Sequence, residues 1–135
     1  MSTPHSDPAV ADKVRVLIAE VMAQPEAKVR TDSLLMQDLG AESLDFLDVV
    51  FQLERAFDIE ITRGEMERAA RGNMTEDEFA PGGVISQAGL DRLRQLMPEA
   101  AQHIKPGLRP MEILSLFSVQ TFVNLVEAKK RGETA

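Results

Sequence analysis

The stretch Asp38-Leu39-Gly40-Ala41-Glu42-Ser43-Leu44-Asp45 runs directly into residues 46–57, and the rest of the chain is arranged about it. A flexible Gly40-Ala41 leads to one serine, and a strongly patterned helix follows at once. At about 100° per residue, Phe46, Val50, Leu53 and Phe57 share one arc, the expected core face. Asp45, Asp48, Gln52 and Arg55 share a polar arc. Leu44, Leu47 and Phe51 form a second apolar flank beside it, cut off from the core face by Glu54. A helix apolar on two flanks is covered twice or keeps one flank for a partner.

The 135 residues suit one domain, or a small domain enlarged by an insertion. No cysteine is present, which excludes disulfides and thiolate metal sites and fits a reducing cytoplasm. Residues 1–8 lack the basic and apolar pattern of a secretory leader, and no apolar run reaches membrane-spanning length. A soluble, cytoplasmic monomer is expected. The net charge of −7 disfavours nucleic acid, which needs clustered Lys and Arg against its phosphates. Residues 42–60 hold Glu42, Asp45, Asp48, Glu54, Asp58 and Glu60 against Arg55 alone. That field suits a basic partner, although a solvated helix face is the commoner meaning of an acidic cluster.

Pro8 opens an expected first helix with Val10, Val14, Leu17, Ile18, Val21 and Met22 at helical spacing, ended by Gln24-Pro25. A long connection over 26–42 carries Val29, Leu34, Leu35 and Leu39, which are expected to pin it to the bundle. After the central helix, Ile59 and Ile61 return to the core. Thr62 with Glu65, and Thr75 with Glu78, have capping-box spacing. Ser86 precedes an amphipathic helix over 87–97, and Pro98 starts a further turn. Pro110 opens a short segment over 111–116, and Ser118 caps a last helix with Val119, Phe122, Val123 and Val126 inward. Its terminal Lys129 and Lys130 suit the helix dipole. No strand-like alternation of useful length is present, so the chain is expected to be all-α.

Ser43 admits three readings. A serine before a helix is ordinarily an N-cap worth about 1 kcal/mol. A catalytic serine needs a base and an orienting acid, but the two histidines, His5 and His103, lie far off in sequence and no G-x-S-x-G elbow is present. A phosphodiester on Ser43 Oγ would sit at a helix start, where free N–H groups favour an anion.

The third reading meets a family resemblance. Residues 38–45, continued through Val49-Val50-Phe51-Gln52-Leu53-Glu54 to Phe57-Asp58-Ile59-Glu60-Ile61, closely resemble acyl carrier proteins. The resemblance implies a four-helix bundle in which Ser43 receives 4′-phosphopantetheine at the start of the second helix. It also implies that Glu42, Leu44, Asp45, Leu47, Asp48, Phe51 and Glu54 dock partner enzymes bearing basic patches. A phosphopantetheinyl transferase, using Mg²⁺ and coenzyme A, would load the serine; the carrier needs no metal and is not itself an enzyme. Glu42 stands where the family usually has aspartate, and Arg55 where it is often acidic.

The resemblance covers about 7–61 and 110–130, within one carrier domain spanning 1–135. The family crosses between these parts with one short helix, so residues 63–109 are read as a helical insertion. Met66, Met74, Met97 and Met111 lie in or beside it. One reading is a self-packed subdomain; another is extra apolar cover for a long acyl chain, for which methionine is adaptable lining; a third is a docking surface for one enzyme. Fatty-acid or specialised lipid biosynthesis is the favoured setting, since the resemblance implies that peptide carriers are less acidic on this helix. A peptidyl or aminoacyl carrier of a nonribosomal pathway, or a helical interaction module without the arm, are the alternatives.

Overall fold

The computed structural model describes residues 8–61, 68 and 70–130. Among the described residues, the α-helices with defined bounds are α1 (Pro8–Val21), α2 (Ser43–Phe57), α3 (Glu76–Phe79), α4 (Gln87–Leu96) and α5 (Val119–Lys130). Short 3₁₀ segments at Glu26–Lys28, Pro81–Gly83, Pro98–His103 and Pro110–Leu116 join them. The expected all-α class is what the chain adopts. The capping pair Thr62–Glu65 lies outside the described residues.

Helix α1 packs against both α2 and α5. It buries Val10, Val14, Ile18 and Ala19, the stripe that its spacing laid down. The chain leaves α1 through Ala23, at φ 53°. Gln24 N–H donates to Ala19 O and Ala23 N–H to Glu20 O, at 2.9 and 3.1 Å. This paired closure satisfies carbonyls that the helix end would leave open.

The buried arc of α2 is Phe46, Val49 and Leu53. It is turned slightly from the expected one, and Val50 and Phe57 are only partly buried. At the helix end, Phe57 is covered by the ammonium groups of Lys13 and Lys130, 4.9 and 5.7 Å from its ring. Near the other end of α2, Phe46 joins Phe117 and Phe122, with ring centroids 5.4–6.1 Å apart. Such offset and edge-on contacts add to the burial itself.

The connection over 26–42 is held as its leucines required: Val29, Leu35 and Leu39 are buried. Backbone pairing also fastens it to the start of α5. Leu35 N–H donates to Phe117 O, Val119 N–H to Ser33 O, and Gln120 N–H to Thr31 O, at 2.8–3.0 Å. Leu34 and Ser118 form an isolated antiparallel bridge.

Residues 70–109 build a second layer whose apolar side chains join the core of the bundle. Phe79, Ile85, Leu90, Leu93, Met97, Ala100 and Ile104 belong to the same buried cluster as α1, α2 and α5. Both expected caps form. Thr75 and Glu78 exchange bonds at the start of α3, and Gly89 N–H donates to Ser86 Oγ at 3.1 Å at the start of α4. Glu99 ties this layer to α5: Thr121 Oγ1 donates to Glu99 Oε2 at 2.8 Å and Asn124 Nδ2 to Glu99 Oε1 at 3.2 Å.

Among the described residues the methionines differ in burial. Met97 is buried, Met74 partly buried and Met111 81% exposed, while Met66 lies outside the described residues. Phe79, Leu90 and Leu93 pack into the common buried cluster.

Candidate functional site

Ser43 is the first residue of a 15-residue helix and is exposed. Three local features place it there. Gly40 turns the chain at φ 75° with open space around its α-carbon. Ala41 is buried and its N–H donates to Leu35 O at 2.8 Å, anchoring the approach. Glu42 then takes the extended N-cap conformation, φ −108° and ψ 173°.

The cap does not use the serine. Glu42 N–H donates to Asp45 Oδ2 at 2.8 Å, and Glu42 O accepts from Asp45 and Phe46 N–H at 2.9 and 3.2 Å. The N-cap reading of Ser43 is therefore corrected by one residue: the cap position falls on Glu42. Ser43 Oγ has no hydrogen-bond partner among the described residues, and the first N–H groups of the helix remain open, as geometry demands at any helix start. An exposed primary hydroxyl beside free N–H donors is chemically suited to hold a phosphate ester.

The residues expected to dock partners separate into two groups. Leu44, Leu47 and Phe51 are 74%, 55% and 60% exposed, and Asp48 is exposed between them. At spacings of three and four residues they share one face beginning at Ser43. Asp45 and Glu54 are partly buried and turned to local tasks. Asp45 closes the cap, and Glu54 Oε2 accepts the N–H of Ile61 at 2.8 Å, holding the chain that returns after α2. Glu42 is exposed at the cap itself.

A second feature escaped sequence reasoning. A cavity of about 220 Å³ lies on the seam between the 26–42 connection, the Pro98–His103 turn and the start of α5. Asp32, Glu99, Gln102, His103, Ser118 and Gln120 are among its lining residues. These positions are distant in sequence and carry no motif; the backbone pairing of the connection with 117–120 and the bonds from Thr121 and Asn124 to Glu99 bring them together. Among the described residues no group of His, Asp or Glu has the arrangement of a metal site. No described helix is long and apolar enough to cross a membrane.

A helical bundle that offers a free serine at the start of its second helix has the form of a carrier domain. The comparison with known families agrees: residues 12–70 match the family described as the phosphopantetheine attachment site. Over those residues the chain is similar to the domains to which 4′-phosphopantetheine is covalently attached. The match takes in α1, the pinned connection and α2 with Ser43.

Proposed function

We propose that the chain carries acyl groups as thioesters on 4′-phosphopantetheine attached to Ser43 Oγ, and is not itself an enzyme. The observation that carries this reading is the freedom of Ser43: it lies in a matched carrier domain, is exposed, and is spared from capping by the Glu42–Asp45 bond. In loading, the Oγ–phosphorus bond forms as the bond from that phosphorus to the adenosine bisphosphate half of coenzyme A breaks, and the serine proton passes to the transferase. The arm supplies a thiol to a chain that has none of its own.

The chain's own residues orient and present the serine. Gly40 and buried Ala41 fix the approach to the helix, the Glu42–Asp45 bond rigidifies its first turn, and the open N–H groups favour the phosphate by about 0.3–1 kcal/mol. Leu44, Leu47, Asp48 and Phe51 form the surface on which we place the transferase and the acyl-handling enzymes, with apolar contact at the centre and acid for steering.

Fatty-acid or lipid assembly is supported by the acidity of α2 and the residues just after it. The aminoacyl alternative draws support from the Glu99 carboxylate in the seam cavity. We also read residues 63–109 as an insertion between the second helix and the Pro110–Leu116 segment that completes the bundle.

Incubation with coenzyme A, Mg²⁺ and a phosphopantetheinyl transferase, followed by intact mass measurement, tests the attachment. A gain of one phosphopantetheine by the native chain and none by Ser43→Ala is expected. A native chain that is never modified, or a Ser43→Ala variant modified as well as the native one, overturns the proposal.

A further inference from the structure

We infer that the seam cavity receives the end of the loaded arm, and that it is built for a short acyl group bearing a positively charged amine. This rests on the carrier reading of Ser43 and deepens it by naming a cargo class.

The first support is reach. Leu34 lines the cavity, and its neighbour Leu35 accepts the Ala41 N–H at 2.8 Å. Following that bond and the chain on either side puts the α-carbon of Ser43 no more than about 18 Å from that of Leu34. A phosphopantetheine arm, with its pantoyl, β-alanyl and cysteamine units in series, spans a comparable distance.

The second support is the chemistry of the lining. The cavity carries the carboxylates of Asp32 and Glu99 and no lysine or arginine. Glu99 is partly buried and accepts only neutral donors, the Thr121 hydroxyl and the Asn124 amide. No ion pair joins it to a described residue. A carboxylate has about four acceptor directions, so two remain for a ligand. A charge withdrawn from water without a counter-ion is unfavourable, and an ammonium reaching Glu99 would relieve this with a charge-assisted bond. An anionic acyl group would meet the like charge of Glu99, since Asp32 is already paired with Arg30 at 3.3 Å.

The third support is the volume. About 220 Å³ accommodates an aminoacyl group of a few heavy atoms. Three lining residues, Glu99, Gln102 and His103, come from the layer over 70–109, which gives that layer a part in cargo recognition.

The test compares two acyl groups of equal size that differ in charge. The full chain, isotopically labelled, is loaded by a transferase with coenzyme A analogues bearing 3-aminopropionyl or butyryl through a hydrolysis-resistant amide. Amide NMR shifts are then compared with those of the unacylated holo protein. The aminopropionyl form is expected to shift the amides of residues 31–34, 99–103 and 116–120. The butyryl form should leave them in place, and Glu99→Gln should abolish the aminopropionyl shifts while its circular dichroism stays native. Asp32→Asn, at an exposed position, provides a second variant if Glu99→Gln fails to fold, and should reduce the same shifts. Equal shifts from both acyl groups, shifts only at buried apolar residues, or none at the cavity despite a confirmed adduct overturn this inference and leave the carrier reading standing. Failure to form any adduct on Ser43 overturns both.

Discussion

Asp45 Oδ2 accepts the N–H of Glu42 at 2.8 Å across the intervening Ser43 and Leu44, so the first turn of α2 is closed without the serine hydroxyl. The hydroxyl is therefore available for modification at little structural cost. Ser43→Ala is expected to change unfolding free energy by less than about 0.5 kcal/mol, whereas Asp45→Ala should lose about 1 kcal/mol. Thermal or urea unfolding of the two unmodified variants checks this. A loss at Ser43→Ala equal to that at Asp45→Ala would return the serine to a capping role.

The acidic residues of α2 should not behave alike. Phe51→Ala and Asp48→Asn alter exposed side chains and are expected to leave stability within about 0.5 kcal/mol. Loading by the transferase should nevertheless slow severalfold, because a truncated interface anchor commonly costs more than about 1 kcal/mol. Glu54→Ala strips the Ile61 N–H of its partner and is expected to destabilise the fold by about 1–2 kcal/mol. Loading rates and urea midpoints, measured on the same three variants, separate the two groups.

Gly89 is where α4 approaches Phe79 most closely. A Cβ there would lie 2.7 Å from Ile85 Cγ2 and 2.9 Å from both the Phe79 ring and the Phe79 carbonyl oxygen. Alanine normally favours a helix, but here the contact includes backbone, which yields poorly. Gly89→Ala is expected to destabilise by about 1–3 kcal/mol, read as a lower urea midpoint.

The start of α3 should respond to acid. Bonds from the Thr75 backbone and then its hydroxyl hold the Glu78 carboxyl below the ordinary glutamate range. A depressed folded value means that this cap stabilises the native state above the unfolded pKa and is lost as pH falls through the folded one. Following the Thr75 and Glu78 amides by NMR on acidification should show the α3 start loosening below the ordinary glutamate range, and Glu78→Gln should flatten that response. An unchanged titration in Glu78→Gln would assign the effect elsewhere.

Much of the bundle was legible in the chain because its signals are local. Apolar spacing of about 3.6 residues marked α1, α4 and α5; Ser86 and Thr75 announced their helix starts; Gly40 and the leucines of the connection told where the backbone turned and where it was pinned. The exposed flank of Leu44, Leu47 and Phe51 was also readable, since it stood on the helix opposite no expected neighbour.

What sequence alone determined, then, was the set of helices and the single serine at the head of α2, because helix periodicity and capping depend on residues within one or two turns. Tertiary structure decided which acids are free and which are spent. It turned Glu54 onto Ile61 and aimed Glu99 at α5. It also decided that residues near 32, 99 and 120 share one cavity, since that proximity comes from backbone pairing of the connection with α5 and from the Glu99 side-chain bonds to α5, which leave no periodic trace along the chain.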